Sequence, residues 1–122
     1  MNLFNDKISL LLNHRLTWLG ARSNLMAENI ALADVRGATR KEMRHFRQVL
    51  KRHGAMPSKD TPPVKLIKIG KGDVVKTKTE ISREMETLEM SRTVLEHDAI
   101  LSTVKNFHQL VKTILSMSQG GG

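Results

Sequence analysis

Apolar residues in the first third of the chain recur at helical spacing. Leu12, Leu16, Leu19, Met26, Ile30 and Ala33 fall on one alternating four-and-three step, with Ser23 in the remaining slot. Such an alternation is the seam of a heptad repeat, in which each apolar side chain meets a facing helix. Ile8 extends the face toward the start, and Lys7, Arg15, Arg22 and Glu28 occupy the polar side. No proline interrupts residues 3–34. Asp34 to Gly37 then breaks the pattern, with Gly37 placed where a helix terminus uses glycine. In the last third, Met90, Val94, Leu101, Val104, Val111 and Leu115 follow the same alternation, and His97 and His108 fill its two gaps. Ile100, Phe107 and Ile114 recur every seven residues beside that seam. Ser82 to Ser118 lacks glycine and proline, which predicts one helix of roughly 50 Å at about 1.5 Å per residue. Ser82 is the candidate cap, although Met85 stands where a capping box has an acid or amide.

The middle differs in kind. Thr39 to His53 predicts a second, basic helix with a weak apolar edge of Met43, Phe46, Val49 and Leu50, ended by Gly54-Ala55-Met56-Pro57. Residues 58–63 read as loop, with Pro62-Pro63 favouring extended backbone. Val64, Leu66, Ile67, Ile69, Val74 and Val75 are mostly β-branched and flank Gly70-Lys71-Gly72-Asp73, which predicts a short hairpin around a turn. The chain therefore divides into an N-terminal axial helix (1–35), a basic arm with the loop and hairpin (36–80), a C-terminal axial helix (81–119) and a flexible tail (120–122). The expected fold is mainly α, its two long helices packing as an antiparallel, coiled-coil-like pair. Two long, narrow seams around a small middle are expected to remain loose until copies of the chain assemble.

Composition sharpens this picture. Phe4, Trp18, Phe46 and Phe107 are the four aromatic residues among 122, so a self-sufficient core is thinly supplied. Without cysteine there are no disulfides, thiolate metal sites or cysteine nucleophile. No apolar run is long enough to cross a membrane, and the N-terminus does not read as a cleavable secretory signal. The net charge of +8 is concentrated: Arg36 to Lys78 holds thirteen basic residues against three acidic ones, while the ends hold seven basic and nine acidic. A basic block signals an anionic partner or a solvated, self-repelling arm. Arg36, Arg40, Lys41, Arg44, Arg47, Lys51 and Arg52 would line phosphates on a helix, which makes a basic nucleic-acid-binding protein the second reading.

Candidate chemistry is sparse. His97 and His108 share a helix face but stand eleven residues apart, too far to hold one metal ion. His14, His45 and His53 have no ligand partner at metal spacing. Gly70-Lys71-Gly72 lacks the glycine spacing and Lys-Ser/Thr ending of a phosphate loop, and no Gly-x-Ser-x-Gly elbow occurs. Glu80, Glu84, Glu86, Glu89 and Glu96 read as an acidic helix start that complements the dipole, with Glu89–Arg92 an ordinary surface pair. No enzyme activity, cofactor or metal is expected.

Asn29-Ile30-Ala31-Leu32-Ala33-Asp34-Val35-Arg36-Gly37-Ala38 resembles the N-terminal signature of bacterial flagellar axial proteins, an Asn-Ile-Ala-Asn-x-x-Thr-Pro-Gly-Tyr run after an amphipathic helix. Asn29, Ile30, Ala31, Ala33 and Gly37 match, whereas Leu32 replaces the second Asn, Arg36 the Pro and Ala38 the aromatic. Short length and the Glu80–Leu115 arrangement look most like FlgB-type proximal rod proteins. The resemblance implies a self-assembling subunit of the periplasm-spanning rod, exported through the flagellar type III apparatus without a cleaved signal and transmitting torque. It implies other rod subunits (its own copies and FlgC-like ones), a FliE-like adaptor, the MS ring and the export gate as partners, and no small-molecule substrate. Leu12, Leu16, Leu19, Met26, Ile30, Ala33, Met90, Val94, Leu101, Val104, Phe107, Val111 and Leu115 are then the expected assembly interface.

Overall fold

The structure, a computed structural model, describes residues 3–60 and 65–120. Its elements run α1 (Leu3–Leu32), β1 (Thr39–Met43), α2 (Phe46–Arg52), a 3-10 turn (Lys71–Asp73), β2 (Val74–Glu80) and α3 (Arg83–Gly120). The fold is mainly helical, with α1 and α3 packed together and a two-stranded antiparallel sheet between them in sequence. Arg15 meets Glu96, Arg22 meets Glu89 and Asn29 meets Glu86, so the two helices run antiparallel. Val64 and Pro62-Pro63 lie outside the described residues. So does the tail beyond Gly120, which is itself the last residue of α3.

Local chemistry sets the element ends. After α1, the Ala38 N–H donates to Val35 O at 3.1 Å across Arg36-Gly37, and Gly37 has φ +82°. A four-residue turn with positive φ at its third position is the type II pattern, which favours glycine there and proline just before. Gly37 therefore serves a turn past the helix rather than the helix terminus itself. Gly54, φ +64°, closes α2, with the Ala55 N–H reaching back to Leu50 O at 2.8 Å. At α3, Ser82 Oγ accepts from the Met85 N–H at 3.4 Å, and Glu84 and Glu86 sit in the first turn beside the positive end of the dipole.

The middle departs from the periodicity in two places. Thr39–Met43 is a strand, not the start of a helix, and the helix shrinks to Phe46–Arg52. The strand's partner is β2: Lys41 pairs with Lys76, Glu42 with Val75 and Met43 with Val74. Residues 65–69 form no strand, so the sheet joins the two ends of the arm instead of making a local hairpin. The cause is tertiary. Asn29 of α1 offers its amide to the Lys41 backbone, donating to Lys41 O at 2.9 Å and accepting from Lys41 N at 3.1 Å, which holds β1 extended. Local helix preference is too weak to resist such a clamp.

The arm is not a solvated appendage. Val49 and Leu50 of α2, with Ala55 and Ile67, form one core with Trp18 and Leu19 of α1. Helix α1 is thus buried on two sides, by α3 and by the arm. Leu19 is 0% exposed and Met26 3%, so these seam residues are satisfied within one chain and do not await a neighbour. The α3 seam is also rotated from its expected line. Met90 and Val111 remain half-buried and Val104 buried, but the flank that turns inward is Thr93, Ile100 and Phe107. Val94 and Leu115, assigned to the seam by spacing, are 40% and 47% exposed.

Leu19→Ala should cost about 2–5 kcal/mol, the usual range for a cavity in a packed core. Val94→Ala, on the seam expected for α3, should stay within about 0.5 kcal/mol. Urea unfolding of both variants checks the pair, and equal losses would show that the spacing-derived seam is the buried one.

Candidate assembly surface and the polar nodes behind it

Three sets of charged residues hold the faces of the molecule in place. The first is a node where α1, β1 and α3 meet. Glu86 is 2% exposed and Asn29 2%. Arg40 Nε donates to Glu86 Oε1 at 2.6 Å, and Asn29 Nδ2 donates to Glu86 Oε2 at 3.3 Å. Arg40 also pairs with Glu42 on its own strand, and its backbone oxygen accepts from Thr77 Oγ1 at 2.7 Å. A carboxylate this buried is tolerable because a cation and an amide satisfy it.

The second set is a ladder between the long helices. Arg15 and Arg22 stand seven residues apart on α1, and Glu96 and Glu89 stand seven apart on α3. Their antiparallel pairs close at 2.6 and 3.4 Å. Trp18 lies between the two arginines, whose guanidinium carbons are 4.6 and 5.5 Å from its ring centroid. Its Nε1 donates to Arg44 O at 2.8 Å, and Phe46 meets its ring edge-on at 5.9 Å. One aromatic side chain thereby ties the arm to the charged ladder, with cation–π attraction added to burial.

The third set centres on Asp73, 1% exposed inside the arm. Its carboxylate accepts from Arg52 Nε at 3.1 Å and the Gly70 N–H at 2.9 Å, and lies 2.9 Å from His53 Nε2. Its backbone oxygen accepts from the Arg44 N–H at 2.8 Å. Burial alone raises this carboxyl; the Gly70 amide, His53 and Arg52 outweigh it and hold it below the usual carboxylate range. His14, 1% exposed, accepts from the Ile67 N–H at 3.2 Å through Nδ1. Burial first, then the nearby His53, lowers its pKa. The proton of the neutral ring therefore sits on Nε2, which has no hydrogen-bond partner among the described residues.

These nodes use several of the cations expected to form a free basic surface. Arg40 is held by Glu86 and Glu42, Arg44 Nε donates to Gly72 O at 2.8 Å, and Arg52 is held by Asp73. Arg36 is exposed in the turn after α1, Arg47 and Lys51 are exposed one helical turn apart on α2, and Lys41 is half-buried on the sheet. The seven cations therefore do not share one helix face. Among the described residues no group of three or more His, Asp or Glu could hold a metal ion, and no helix is long and apolar enough to cross a membrane.

What remains outside is apolar. Of the eleven large hydrophobic side chains exposed among the described residues, eight belong to α3, among them Met85 at 56%, Leu95 at 69%, Leu110 at 57% and Met117 at 71%. Exposed apolar surface collected on one element marks an interaction face. Helix α3 has 38 residues and α1 has 30, a difference of about 12 Å. Continuing the Arg15–Glu96 register brings Leu3 opposite about residue 108, so the last turns of α3 run past α1. Residue spacing missed Asp73 and the inward roles of Glu86, Glu89 and Glu96. The matched seven-residue spacing of Arg15/Arg22 and Glu89/Glu96 was the available signal for two of them. No protein-family model and no curated protein matches the chain.

Two groups make the fold acid-sensitive. Both have folded pKa values below their ordinary ones, so each contributes stability that is present above the unfolded value and lost as pH falls through the folded one. His14 acts below about 6.5 and Asp73 below about 3.8. Stability should therefore decline in two stages on acidification. Asp73→Asn should cost about 2 kcal/mol at pH 7 and flatten the lower stage. Denaturant midpoints measured from pH 3 to 8 check this; an unchanged lower stage in Asp73→Asn would remove Asp73 as its source.

Proposed function

We propose that the chain is a structural subunit of the bacterial flagellar basal-body rod, of the FlgB-like proximal type, self-assembling through its terminal helices to transmit torque. The observation that carries this reading is the exposed apolar face of α3, which a single chain leaves in contact with water. A subunit whose longest helix is apolar on a second face is suited to burying it against neighbours.

The local roles of the signature residues support the flagellar assignment. Asn29 clamps β1, and Gly37 supplies the positive φ of the turn that sends the chain from α1 into the arm. Arg36 occupies the turn position that favours proline, which is the residue the signature carries there. A Pro-Gly pair and an Arg-Gly pair thus serve the same turn. On this reading the protein is exported without a cleaved signal, lies in the periplasm-spanning rod and meets its own copies, FlgC-like subunits, a FliE-like adaptor, the MS ring and the export gate. It needs no cofactor and performs no catalysis. The nucleic-acid reading called for a cationic helix over residues 36–53, and that segment holds a five-residue strand and a seven-residue helix.

Leu110→Asp and Ile114→Asp place a charge on the exposed face, where the isolated fold tolerates it. Each purified variant should unfold within about 0.5 kcal/mol of wild type. In cells whose own copy of the gene carries the substitution, each should be exported and fail to build a flagellum. Normal motility in both, or tight sequence-selective nucleic-acid binding at physiological salt, would overturn the proposal.

A further inference from the structure

An open groove lies between α1, the sheet and residues 69–71. Leu25, Met43, Ile69 and Val74 form its floor, and Lys41, Lys71 and Lys76 stand around it, with Glu28 on the α1 side. Lys41 and Lys76 are directly opposite each other in the antiparallel pair, an arrangement that costs stability unless an anion lies between them. Among the described residues none of the three lysines is ion-paired. The groove thus combines apolar floor with excess positive charge.

The same chain carries a surface of opposite character. Leu88 and Leu95 lie seven residues apart on α3 and are 45% and 69% exposed. Glu84 stands one turn before Leu88, and Asp98 three residues after Leu95. Helical spacing places all four on one face over about 21 Å, acidic at both ends, with Ser91 and Arg92, the latter paired with Glu89 at 3.1 Å, alongside the two leucines. Glu84 makes no ion pair among the described residues, and Asp98 has only His97 beside it at 3.8 Å.

We infer that the groove of one subunit receives the Glu84–Asp98 strip of a second copy. Charge complementarity and the apolar match select this occupant together. A nucleic acid would neutralise the lysines but leave the groove floor and the two leucines exposed. The groove and the strip are different surfaces, so the contact is head-to-tail and propagates from copy to copy unless it closes into a ring. This deepens the rod-subunit reading and rests on it.

The chain contains no cysteine, so single thiols report contacts cleanly. Asn24 lines the groove and Ser91 lies between Leu88 and Leu95; both are exposed, and neither supplies the charge or apolar match that selects the contact. Full-length Asn24→Cys and Ser91→Cys proteins, mixed at high concentration and oxidised, should give the mixed disulfide in about tenfold excess over either homodimer. Adding Lys41→Glu and Lys76→Glu to the Asn24→Cys component should lower that yield about tenfold. Glu84→Lys and Asp98→Lys in the Ser91→Cys component should restore much of it. Predominant Ser91→Cys homodimers would overturn the groove contact while leaving self-assembly standing. A mixed yield no greater than chance, or one insensitive to the charge reversals, would also overturn it. A chain that stays monomeric at every concentration would sink both this contact and the assembling-subunit reading.

Discussion

The buried carboxylate of Glu86 is the constraint on which the other features depend. A charge removed from water needs partners at hydrogen-bond distance, and here they come from two other elements. Arg40 reaches it from the extended β1, and Asn29 holds β1 extended while touching the same carboxylate. Three segments that are distant in sequence are thereby locked at one point. The turn at Gly37 provides the short route between two of them.

From that point the rotation of α3 follows. With Glu86 inward, helical geometry brings Met90, Thr93, Ile100, Val104 and Phe107 toward α1, and Glu89 and Glu96 to Arg22 and Arg15. The same rotation leaves Leu88, Leu95, Leu110 and Met117 outside. A pairing deep in the fold therefore decides which apolar residues stay exposed. The Trp18 stack extends this order to the arm, because the arginines that bridge to α3 also cover the ring that anchors Arg44. These part-buried contacts hold α3 and the arm to one another.

The two long helices were legible in the sequence because each spans many turns of consistent spacing, free of proline. Their pairing and one strand of the small sheet, Val74–Glu80, also followed from pattern, but the strand's partner did not. The arm's partners were not legible. Thr39–Met43 contains good helix formers, and its strand state comes from an Asn side chain ten or more residues earlier and a β2 segment more than thirty residues later. The α3 face was misassigned by a fraction of a turn because apolar residues lie on nearly all sides of that helix. Only the charges separate its inner side from its outer one, and a hydrophobic count does not see them. Asp73 was hidden for the opposite reason: a turn of Gly-Lys-Gly-Asp explains itself locally, so nothing in it points to His53 or Arg52.

Amide hydrogen exchange, compared between the monomer and the assembled protein, tests most directly whether the chain folds alone yet remains incomplete. The account predicts strong protection of Trp18–Ile30 and Glu86–Val104 in the monomer already. The amides of Leu110–Gln119, where α3 runs past α1, should exchange quickly in the monomer and become protected by a hundredfold or more, on the order of 3 kcal/mol, on assembly. Full protection of those last turns in a proven monomer, or no gain on assembly, would contradict it.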